Sequence, residues 1–198
     1  MKLLFLLLQF ILAAGQSFGQ DSSNYSFLEP VINKMHKLVL LKSSPNKIIY
    51  SDGFPHDNFF ENRVASILKR KKISGITKET EANCLFLSKA EKRLVKDYIK
   101  STESRKLPDN LFSNSECINS DTLNSILKDD KRGWQYFREK YSASYFHILK
   151  PFFFRNNSLC LSYIIVITSL HDFEDRLIFY KKKNGKWEEW IVALEGIT

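Results

Sequence analysis

Between Tyr145 and Leu194 the sequence offers four strand candidates in close succession: YFHILKPFFF, LCLSYIIVIT, RLIFYKK and WEEWIVAL. The joints between them are short. RNNS reads as a turn, and Asn184–Gly185 suits a two-residue type I′ turn, which needs φ > 0 at both central positions. Connections of this length join antiparallel neighbours, because a parallel crossover takes roughly a dozen residues or more. In the second candidate Leu159, Leu161, Tyr163, Ile165 and Ile167 share one face, and Cys160, Ser162, Ile164, Val166 and Thr168 share the other. Both faces are largely apolar, which predicts a central strand covered by helices on at least one side. In the last candidate, strict alternation groups Trp190 with Val192 and Leu194, and Trp187 with Glu189 and Ile191. Trp187 is then the more exposed of the two indoles.

The preceding half reads as helices. Pro30 suits a first helical turn, and Val31, Met35, Leu38 and Val39 recur at helical spacing. KIIYSD (Lys47–Asp52) is a short strand candidate. Asn58 stands three residues before Glu61, as in a capping box, and Phe60, Val64, Ile67 and Leu68 then form one stripe. Ser88 and Glu91 repeat the box ahead of a helix whose Ala90, Leu94, Val95 and Tyr98 face one way. Shorter helices are predicted around Thr122–Leu127 and Trp134–Tyr141. The whole predicts an α+β fold, with N-terminal helices packed on a C-terminal four-stranded antiparallel β-meander.

The succession LSKAEKRLVKDYIK, LFSNSECI, GWQYFREKY, LKPFFFRNNSLCLSY and LIFYKKKNGKW resembles a group of small exported proteins common in Bacteroidetes-type bacteria, over residues 85–187. The resemblance implies export. It brings no catalytic residues, because the group has no assigned activity to transfer. Members often place a Cys/Gly-rich loop between the second and third meander strands. Here that loop is SLHDFED (Ser169–Asp175), without Cys or Gly.

Export also follows from the N-terminus itself. Lys2 precedes the apolar run Leu3–Ala14, twelve residues long, which has the length of a signal-peptide core. A membrane span needs about 20. Ser17 and Gly19 place small residues for cleavage after Gly19, and cleavage after Gln20 fits nearly as well. Residues 1–20 are thus read as a signal peptide and 21–198 as one α+β domain, in the periplasm or outside the cell, with no transmembrane span once the leader is removed.

The formal charge of +8 sets the class of partner. For an exported chain this points to envelope polysaccharide, envelope protein or anionic headgroups rather than a specific nucleic acid. Lys69–Lys72 (KRKK) is the densest cluster. Its place at a predicted helix end, where cations meet the negative pole of the dipole, reads as a solvated terminus. Cys84, Cys117 and Cys160 lack metal-site spacing, and buried free thiols are the simpler reading, with a bridge between one pair the alternative in an oxidising compartment.

Candidate chemistry is sparse. His171, Asp172, Glu174 and Asp175 gather an imidazole and three carboxylates into five residues, the donor types that hard cations take. The loop lacks the glycine and ligand spacing of a calcium site and is not a three-ligand zinc pattern, so no metal and no cofactor is predicted. Asp52, His56 and Asp57 lie in the Gly/Pro turn DGFPHD, a setting that active sites favour. Trp187 offers an aromatic surface, the kind that binds sugars and peptides. The leading expectation is a non-enzymatic interaction or structural module of the envelope. One alternative is a small hydrolase centred on Asp52, His56 and Asp57 or on the Ser169–Asp175 loop; another is a carrier holding a small ligand between helices and sheet.

Overall fold

The computed structural model describes residues 22–39, 47–53, 58–101, 107–109, 111–112, 114–129, 132–169 and 171–197. The expected leader, residues 1–20, lies outside them, as do His56 and Asp57. A 3-10 turn at Ser22–Leu28 leads into α1 (Glu29–Val39), where Pro30 falls in the first turn and needs no N–H. Helices α2 (Asn58–Lys69), α3 (Lys89–Lys100), α4 (Ser120–Leu127) and α5 (Arg132–Lys140) follow. The strands are β1 (Ile48–Ser51), β2 (Ile73–Ser74), β3 (Cys84–Leu85), β4 (Ser115–Ile118), β5 (Tyr145–Ile148), β6 (Phe152–Phe154), β7 (Leu159–Ile167), β8 (Phe173–Lys183) and β9 (Lys186–Ile197).

The α+β class holds, but the expected arrangement of helices and a four-stranded meander does not. The strands β5, β7, β8 and β9 do run antiparallel in that order. They belong, however, to a seven-stranded mixed sheet of order β4-β1-β5-β7-β8-β9, with β6 also on β7. β1 pairs in parallel with β4 on one side and with β5 on the other. The helices are not all N-terminal either, since α4 and α5 lie between β4 and β5. The cause is visible in β1, all four of whose residues are buried. A strand buried on both faces can take parallel partners reached through helical crossovers, and these leave no short-turn signature. β4, with sequence SECI, is too short and polar to announce itself.

Tyr145–Phe154, read as one strand, is two. The break falls at Leu149–Pro151, where proline has no N–H for a ladder. Both pieces still pair with β7, β6 at Leu159–Leu161 and β5 at Ile164–Ile167.

β7 is central, as its two apolar faces require. On one face Cys160, Ile164 and Val166 pack beneath Tyr25, Leu28, Ile32 and Met35 of the 3-10 turn and α1. On the other, Leu159, Leu161, Tyr163 and Ile165 meet Val64, Ile67 and Leu68 of α2 and Val95 and Ile99 of α3. Leu123, Trp134 and Phe137 of α4 and α5 form a third cluster over Ile49, Ile118 and Tyr145. Val64, Ile67 and Leu68 thus face inward as their spacing demands. The Ser88–Glu91 capping box is present, but the buried face of α3 is Val95 and Ile99, and Leu94 is 56% exposed.

β9 departs from alternation at two bulges. Leu177 pairs with Leu194 but Ile178 with Val192, and Phe179 pairs with Ile191 but Tyr180 with Glu189. Ala193 and Trp190 are the extra residues, and each bulge reverses the faces downstream. Trp190 and Leu194 therefore pack with Ile191 and Ala193, while Trp187 packs with Val192 on the opposite side. The predicted face sets were wrong for this reason. The β2–β3 hairpin covers the bulged edge: Ile76 N–H donates to Val192 O (2.9 Å) and Asn83 Nδ2 to Trp190 O (2.8 Å).

Candidate functional site

The acidic loop does not converge. β8 begins at Phe173, so Glu174 and Asp175 point to opposite faces of the sheet. Glu174 accepts from Arg176 Nε at 3.2 Å, and Arg176 also pairs with Glu195. Asp175 is fully buried and accepts from Arg63 Nη2 of α2 at 3.0 Å and from the Tyr163 hydroxyl. Gly196, opposite Asp175, is required by this pair, since a Cβ there would lie 2.5 Å from both Arg63 Nη2 and Asp175 Oδ1. His171 and Asp172 stay exposed at the hairpin turn. The Ser169 hydroxyl donates to the Asp172 carboxylate at 2.7 Å and receives the backbone N–H of both residues. Among the described residues no group of three or more His, Cys, Asp or Glu side chains could hold a metal ion.

Asp52 lies at the carboxyl end of β1, beside the end of its parallel neighbour β4. Its Oδ1 accepts from the N–H (2.7 Å) and hydroxyl (2.5 Å) of Ser120, and its Oδ2 from Asn119 Nδ2 (2.9 Å). Asn119 caps α4, so the carboxylate sits where the helix dipole favours a negative charge. The Ser51 hydroxyl lies 3.0 Å from that of Ser120. His147 brings Nδ1 to 3.0 Å from the Gly53 carbonyl, and burial pushes its imidazole down to about 4. It is neutral at pH 7, with the Nδ1 proton donated to that carbonyl. These contacts strap β1, β4 and β5 to α4. Cys117, on β4, is no ready nucleophile: burial, then the charges of Asp52 and Asp109, push its thiol up to about 11. All three cysteines are free thiols.

Trp187 is half-buried rather than an open platform. Its ring lies 5.6 Å from Phe27 and 5.3 Å from Phe153, with Lys182 Nζ 5.6 Å above it. It closes the edge of the core under the 3-10 turn.

The feature that sequence reasoning missed is the face made by α2 and α3. Lys92 Nζ donates to Arg70 O at 2.7 Å, which sets the start of α3 against the end of α2. The exposed cluster Lys69–Lys72 at the end of α2 thereby begins beside Lys92 at the start of α3. Between the helices runs a groove of about 270 Å³. Val64, Ala65 and Leu68 of α2 and Ile99 of α3 form its floor, while Lys69, Lys96 and Lys100 stand on its rim with Glu61 as the one acid among the described residues. The nearby Glu91 is engaged elsewhere, held by Arg155 at 2.5 Å, which keeps its carboxyl down to about 2. A signal was present in the sequence: Lys92, Lys96 and Lys100 recur every four residues and so share one flank of a helix. What that flank would stand against was not.

Family models, curated proteins and solved structures offer no match to this chain. Among the described residues no helix is long and apolar enough to cross a membrane.

Proposed function

We propose that the protein is an exported, non-enzymatic interaction module whose working surface is the basic face of α2 and α3, and whose partner is an acidic polysaccharide of the cell envelope. Support for export is the leader-like run Leu3–Ala14 and the small residues before Gln20. Support for the partner is the juxtaposition of Arg70 with Lys92 and of Lys69 with Lys96 and Lys100, a concentration of positive charge that attracts polyanions at long range. The natural test is retention on an immobilised uronate polysaccharide at low ionic strength. Wild type should be retained and released by salt, whereas Lys69→Glu/Lys96→Glu/Lys100→Glu should flow through with its thermal midpoint unchanged. Equal retention of the two would remove the basic face from the account. Selective retention on an acidic protein instead would move the partner to that class. Terminal sequencing of the exported product should find Gln20 or Asp21 first.

A second reading, a small hydrolase around Asp52, draws on one observation: Asp52 binds Ser120, and His147 binds the carbonyl of neighbouring Gly53, at the carboxyl ends of parallel strands, where α/β sheets commonly bind ligands. Every described polar contact of Asp52 is to the strap that holds α4. Asp52→Ala is therefore expected to cost about 1–2 kcal/mol of stability, as loss of a helix cap does. Ester hydrolysis by the wild type that Asp52→Ala abolishes without loss of stability would favour the hydrolase.

A further inference from the structure

We propose that the groove between α2 and α3 is a discrete binding site for a free, single-chain anionic amphiphile. The anionic head would meet Lys69, Lys96 and Lys100, and the apolar chain would cover Val64, Ala65, Leu68 and Ile99. This goes beyond polysaccharide recognition, which needs surface charge but neither a cavity nor an apolar floor. Hydrocarbon displaces water from such a floor favourably, while charged groups at the rim fix the head. Three lysines against Glu61, the single carboxylate among the described lining residues, set the sign of that head. The volume, about 270 Å³, stands at the lower edge of small-molecule clefts, which begin at roughly 300 Å³, so one chain fits and a bulky cofactor does not.

A free molecule is favoured over a bilayer by the geometry of the rim. Leu94, the exposed apolar residue of α3, is two residues from Lys96 and so projects about 200° away around the helix. The rim is thus cationic, with no apolar side chain from α3's outer flank to enter a membrane beside it.

Calorimetric titration of the purified protein with decanoate tests the site, with decanol and inorganic phosphate as uncharged and tail-less controls. Decanoate should saturate at one per chain, with both controls at least about tenfold weaker. Ala65→Phe fills the groove from a half-buried position and should abolish decanoate binding while leaving polysaccharide retention intact, which separates this site from the broader face. Lys96→Gln/Lys100→Gln should weaken decanoate about tenfold and leave decanol unchanged. Equal affinity for decanol and decanoate, unaltered binding by Ala65→Phe, or binding confined to anionic vesicles would each overturn the proposal.

Discussion

Asp175 sits fully buried between Arg63 and Tyr163, and Arg63 itself keeps about a quarter of its side chain in water. Burial pushes the carboxyl upward, and its hydrogen bond to Tyr163 and the charge of Arg63 pull it back. Removing one partner of such a pair leaves the other charge uncompensated. Asp175→Ala should therefore destabilise by about 3 kcal/mol in denaturant melts, the low end for buried pairs because Arg63 can still reach solvent. A loss near zero would mean that the pair is dispensable. His147 gives a pH dependence. In the unfolded chain its imidazole takes up a proton near the ordinary value of 6.5, and in the folded chain only near 4. Between those values unfolding binds a proton, so stability falls as pH falls. His36, also lowered by burial, acts in the same sense. His147→Gln, which keeps a donor for the Gly53 carbonyl, should flatten this slope; an unchanged slope would assign the loss to other groups. At this scale the sequence was misread where an element's start was misplaced. β8 begins three residues before the predicted Arg176, and those three residues turn an acidic loop into alternating strand positions that send Glu174 and Asp175 apart.

The turns and the Ser88–Glu91 cap were the legible elements. Asn184 and Gly185 have φ of 50° and 79°, as the type I′ turn demands, and nothing lies within 4 Å of an added Cβ at Gly185. Gly185→Val thus tests backbone strain alone, and should cost about 1–2 kcal/mol by thermal or denaturant melt, since a β-branched residue resists φ > 0. No measurable cost would place the turn in another conformation. The RNNS turn runs through three left-handed residues, Arg155, Asn156 and Asn157. Arg155 is an unusual choice there, but its side chain clamps Glu91 and the Phe86 carbonyl (2.7 Å), so the strained turn anchors the start of α3. Faces were less legible than turns. Leu94 is apolar yet not buried, because the helix phase set by Val95 and Ile99 turns it out. In β9 alternation failed at Ala193 and Trp190, because a bulge depends on how the partner strand and the β2–β3 flap meet the edge, not on composition.

For the whole molecule, hairpin pairings could be inferred because their turns are local, whereas the parallel pairs β1–β4 and β1–β5 could not. Ile48 and Ser115 meet across 67 positions of sequence, through segments with the helical pattern of a helices-first fold. The same limit hid the candidate site. Lys69–Lys72 and the Lys92–Lys100 flank are each ordinary solvated helix surface when read alone, and become one basic face only when α2 and α3 pack over the same side of the sheet. That face, with its apolar-floored groove, is the centre of the functional account. Backbone amide NMR during titration with a uronate oligosaccharide tests it most directly. The account predicts shifts concentrated in Lys69–Lys72 and Lys89–Lys100 that fade as salt is raised. Shifts centred instead on the Trp187 hairpin or on the strap around Asp52 and Ser120 would contradict it.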